Sequence, residues 1–145
     1  MSHLHETTHI IGHDENATRL IQTASGPVEV KAFGELSAEI TSGPASLIGR
    51  TITAFAWLET HGDNRQINIT EATTGRRLEV VPMVVTEGSE LPLTEAVFAD
   101  MVPFLMEGCR DAAFARFREA DDERLVTLFN ILDQMPPLQT AGGGA

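Results

Sequence analysis

The sequence predicts an α+β domain. An antiparallel β-meander of about five strands over residues 27–86 packs against a C-terminal helical pair over residues 94–135. Three observations carry this expectation. β-Branched and aromatic residues gather in short runs before residue 86, turn residues interrupt those runs closely, and apolar positions take helical spacing after residue 94. At 145 residues the chain has one domain's length. A domain of that size buries roughly two thirds of its unfolded surface and needs no disulfide or metal to fold.

Each element follows from local chemistry. A short helix is expected from Asp14 or Asn16, carrying Leu20 and Ile21, with Ser25-Gly26-Pro27 ending it. Val28, Val30 and Phe33 form one extended run, and Leu36 to Ile40 form another. Thr51 to Glu59 is rich in β-branched and aromatic residues, as a strand buried on both faces would be. The polar cluster His61-Gly62-Asp63-Asn64 has turn composition, and Arg65 to Thr70 then sets Ile67 and Ile69 on one face. Thr73-Thr74-Gly75 turns the chain into Arg77 to Thr86. Ser-Gly-Pro occurs twice, at Ser25 and Ser42, which indicates recurrent turn chemistry rather than a repeat architecture.

The helical part opens at Thr94 as N-cap, and Phe98, Val102, Leu105, Cys109, Ala113 and Phe117 keep helical spacing. Pro103 should kink this helix or open its main section. Asp121, Asp122 and Glu123 suit a second helix start, and Met135-Pro136-Pro137 stops that helix. Three stretches result: a His-rich segment (1–14), a single α+β domain (15–137) and a flexible Gly-rich tail (138–145).

Charge narrows the function. Ten Lys and Arg face 21 Asp and Glu, for a formal net charge of -11, and Lys31 is the sole lysine. Nucleic acid is therefore excluded as a partner, because phosphate binding needs clustered cations. Membrane is excluded too, since no run of apolar residues is long enough to span one and Met1 to Glu15 lacks a signal-peptide core. Cys109 is the single cysteine, consistent with a reducing cytoplasmic location. No P-loop and no nucleophile elbow is present.

One short segment carries a chemical pattern. His5-Glu6-Thr7-Thr8-His9 matches H-E-x-x-H, and four of the five histidines fall between residues 3 and 13. This stretch resembles a metzincin or gluzincin metalloprotease site over about eleven residues, with Gly12 in step and Glu15 where the long form has its third His. The resemblance implies a helix on which His5 and His9 grip Zn²⁺ while Glu6 activates water, His13 extending the stripe. Thr7, Thr8, Ile10 and Ile11 are β-branched and favour a strand instead. His3, His5, His9 and His13 would then project to one side of it.

The expected function is a non-enzymatic acidic protein-interaction module of the adaptor, chaperone or inhibitor type. It needs no cofactor and self-associates or binds a protein partner. Phe98, Met101, Phe104, Met106, Phe114, Phe117 and Phe129 support it, since together they exceed one narrow core stripe. The alternative is a metal-binding protein or zinc-dependent hydrolase that uses His5, His9 and His13. A third reading places a small-ligand pocket between sheet and helices near Trp57 and His61.

Overall fold

The computed structural model describes residues 4–11, 17–61, 64–82 and 95–135. Its elements are β1 (Leu4–Ile10), β2 (Thr18–Thr23), β3 (Gly26–Ile40), β4 (Thr51–His61), β5 (Asn64–Glu71), β6 (Arg77–Pro82), α1 (Glu95–Glu119) and α2 (Asp122–Gln134). The fold is the α+β arrangement expected. An antiparallel sheet in the order β1-β3-β4-β5-β6, with β2 also on β3, packs against the two helices.

Two elements differ from expectation. The short helix over Leu20 and Ile21 is instead strand β2, paired residue for residue with β3 from Thr18↔Lys31 to Thr23↔Gly26. Thr18, Ile21 and Thr23 are β-branched, and Gly26 at φ 112 gives the turn that folds them back as a hairpin. The runs Val28 to Phe33 and Leu36 to Ile40 are one 15-residue strand, β3. The second Ser-Gly-Pro also turns at a glycine, with Gly43 at φ 128.

A bulge explains why β3 has no single periodicity. Register against β4 slips between Ala32 and Gly34, so that Ala32 opposes Trp57 while Gly34 opposes Ala56. Before the slip, Val30 and Ala32 lie on one face with Phe55 and Trp57. After it, Leu36, Ala38 and Ile40 lie on the other face with Ile52, Ala54 and Ala56. Phe33 and Gly34 both turn toward α1: Phe33 meets Phe98 edge-on at 5.1 Å, and a side chain at Gly34 would run into Met106. The extra residue thus switches the buried face halfway along the strand.

The main core lies between the inner sheet face and the helices. Leu36, Ile40, Ile67, Ile69, Met106, Cys109, Phe114, Leu125 and Phe129 are its largest fully buried side chains. Helix α1 passes through Pro103 without interruption, against β1, β3 and β6. Val102 and Met106, buried on either side of the exposed proline, hold the helix across the missing hydrogen bond. Asp121 caps α2 as expected, its side chain accepting from the Arg124 N–H at 2.8 Å. Phe117 meets Phe129 edge-on at 6.0 Å, and Arg50 stacks over Phe129 while gripping Asp133 through two hydrogen bonds. Thr94, residues 83–86, Gly62, Asp63 and the tail 138–145 lie outside the described residues. Among the described residues no helix is long and apolar enough to cross a membrane.

Candidate functional site

The H-E-x-x-H segment is strand β1, antiparallel to the second half of β3. Alternation sends His5, Thr7 and His9 to the outer sheet face, opposite Glu39, Ser37 and Glu35 respectively. Glu6 and Thr8 point the other way, toward α1. The Glu6 carboxylate accepts from Arg118 Nε at 2.6 Å and Nη2 at 2.5 Å, and Arg110 reaches the Thr8 hydroxyl at 3.5 Å. Four residues of strand separate His5 from His9 by about 13 Å, too far for both to ligate one ion. The helical zinc geometry that the motif implies is therefore not the geometry of these residues. His3, His13, Gly12 and Glu15 lie outside the described residues. Among the described residues no group of three or more His, Cys, Asp or Glu could hold a metal ion.

The outer face carries its own structure. The β2–β3 hairpin folds across it, with Ile21 and Val30 packed over Phe55 and Trp57, and Gln22 N–H bonded to the Gly75 carbonyl at 2.7 Å. Polar groups on this face are buried as well as apolar ones. Asn68 is 2% exposed, donates to Glu59 and accepts from Arg77 Nε at 3.1 Å, while Trp57 Nε1 donates to the Thr70 hydroxyl at 3.0 Å. The pocket expected near Trp57 between sheet and helices is thus displaced. Trp57 faces away from the helices because it alternates with Ala56 and Leu58 on β4.

Beside the strap the outer face opens into a cleft of about 360 Å³. Thr7, Ser37 and Thr53 stand in register on β1, β3 and β4, one strand spacing apart. His9 and Glu35 form the next row, and Arg19 reaches from β2 to pair with Glu35. Phe55 supplies the apolar part of the lining, while Leu36 and Ala54, which also border the cleft, turn their side chains into the core on the other face. None of these hydroxyl residues was singled out from sequence. No alternation marks them, because His5 to His9 is an unbroken polar run, and only the partner strand decides which of its residues form a row.

A second surface lies on α1. Val102, Met106, Cys109, Ala113 and Phe117 form its buried stripe, and Phe104 stands off that stripe at 84% exposure. Asp100, Phe104, Glu107 and Asp111 recur at helical spacing along the outward side, with Met101 and Gly108 adjacent and also exposed. A side chain added at Gly108 would meet nothing within 4 Å. The aromatic excess noted in the sequence includes this residue, and its departure from the core stripe is the signal that it faces outward.

No known family model, curated protein or solved structure matches the chain.

Proposed function

We propose that the protein is a non-enzymatic interaction module whose recognition element is the outward side of α1. The observation that supports it is Phe104, an aromatic side chain 84% exposed among Asp100, Glu107 and Asp111. A large apolar group held in water on a rigid helix has an unfavourable hydration that a partner's apolar surface would relieve. The carboxylates around it select a basic segment and speed its encounter, in keeping with the net charge of -11. The partner chemistry is accordingly a cationic amphipathic helix, with an apolar face for Phe104 and Met101 and lysine or arginine flanks. A second copy of this chain is a poorer occupant of the same face. Two-fold pairing would lay one row of carboxylates against another.

The test uses fluorescence anisotropy with a labelled amphipathic Leu–Lys helical peptide, and its Leu–Glu counterpart as control. The full chain should bind the cationic peptide alone, Phe104→Ala should weaken it about tenfold, and added salt should weaken it further. Equal binding by wild type and Phe104→Ala, or by both peptides, would overturn the assignment. So would a solution mass showing a dimer that Phe104→Ala dissociates.

A further inference from the structure

We infer that the cleft between β1, β3 and β4 is a binding site for a neutral, hydroxyl-rich small molecule of the mono- or disaccharide class. This site is independent of the α1 surface and lies on the opposite face of the sheet.

Size and enclosure come first. At about 360 Å³ the cleft falls in the range of small-molecule sites, and the β2–β3 strap walls one side of it. Among the described residues, no side-chain hydrogen bond within the protein engages the hydroxyls of Thr7, Ser37 or Thr53. Each such group both donates and accepts, so the row presents a line of paired donor and acceptor capacity about 10 Å long. A ligand bearing several hydroxyls matches that line group for group. Neighbouring Asn68 and Thr70, by contrast, are already committed to partners within the protein.

Charge then selects among polar ligands. Arg19 and Glu35 neutralise one another at the cleft wall, so an anion would meet the Glu35 carboxylate and a cation the Arg19 guanidinium. A hydroxylated neutral ligand suits both, because carboxylates accept from and guanidinium groups donate to hydroxyls. His9, in register with Glu35, adds a further polar contact. Phe55 is the apolar side chain that borders the cleft on this face, beside the row of hydroxyls. The hydroxyl row and the balanced ion pair converge on one ligand class.

Amide NMR titration of the full chain tests the inference. Glucose, galactose, mannose, N-acetylglucosamine, maltose and lactose are the probes, with phosphate and acetate as anionic controls. At least one sugar should shift the Thr7, Ser37 and Thr53 amides, and the anions should not. The double variant Ser37→Ala/Thr53→Val should weaken that sugar about tenfold or more. Glu35→Gln, which keeps shape and removes charge, should weaken it in a folded protein if the double variant loses structure. Absence of any sugar-induced shift at these amides, or larger shifts with phosphate or acetate, overturns the assignment. Because Phe104 is not part of the cleft, Phe104→Ala should leave the titration unchanged, which separates this test from that of the peptide surface.

Discussion

Glu6 and Arg118, 112 positions apart in sequence, close the first strand onto the first helix through two charge-assisted hydrogen bonds. Asp111 accepts a third bond from the same guanidinium at 2.9 Å. These bonds, the Glu6 bond foremost, raise the Arg118 pKa above its ordinary value against the opposing effect of desolvation. The residue that a zinc hydrolase would use as its general base is here a structural counter-ion.

Breaking that pair should be felt as stability. The Glu6 side chain is 13% exposed, so Glu6→Gln, which removes the negative charge and turns one of its two acceptor oxygens into a donor, should cost about 1–3 kcal/mol. His5→Ala and His9→Ala, both on the exposed side of the same strand, should stay within about 0.5 kcal/mol. Urea denaturation of the three variants checks the contrast, and equal losses would refute it.

Gly34 and Met106 should be energetically coupled. A methyl at Gly34 would overlap the end of the Met106 side chain, which is itself 1% exposed and has little room to move. Gly34→Ala should cost about 1–3 kcal/mol through overpacking. Met106→Ala opens a cavity there, so the double variant should be more stable than the two single losses predict. A double-mutant cycle showing simple additivity would contradict this contact.

Stability should fall in alkali because of one thiol. Cys109 is fully buried, and burial pushes its pKa from 9.0 up to about 11. The folded state keeps the proton longer than the unfolded state, so stability is level below pH 9.0 and declines as pH rises toward about 11. The limiting slope is about 1.4 kcal/mol per pH unit. Cys109→Ala should flatten this part of a stability–pH profile, and thiol labelling of the native protein should proceed only as fast as opening exposes the sulfur.

Two residues on the outward side of α1 weaken the helix without helping the interior. Pro103 lacks a donor, and Gly108 has open space where a side chain would sit. Pro103→Ala should raise stability by about 1–3 kcal/mol and Gly108→Ala by about 0.5–1 kcal/mol. Thermal melts settle both signs. A loss on Gly108→Ala would mean that the glycine serves the isolated fold.

What sequence could reveal divides along the range of the interactions. The strands β4 to β6 were legible because their turns are local, with Ser-Gly-Pro and Thr-Thr-Gly marking reversals, whereas β3 read as two runs because its bulge breaks the period. Asp121 and the acidic residues after it marked α2 for the same reason. β2 was missed because Leu20 and Ile21 in a short polar run fit either period, and pairing with Val28 and Glu29 decides between them. The bulge at Ala32 to Gly34 was invisible because it depends on which β4 residue lies opposite. The cleft followed both out of reach, since Thr7, Ser37 and Thr53 become neighbours only through two strand registers.

The bond between β1 and α1 also sets an order of events in the life of the chain. Synthesis delivers Leu4 and Glu6 first, and Arg118 more than a hundred residues later. Until α1 emerges, the nascent sheet presents Leu36, Ile40, Ile67 and Ile69 to water with nothing to cover them. Contacts of such long sequence separation are slow to form, and an uncovered sheet face is prone to aggregate. Truncated or stalled chains that end before residue 95 should thus be the species that chaperones and proteases capture, while the completed chain escapes both.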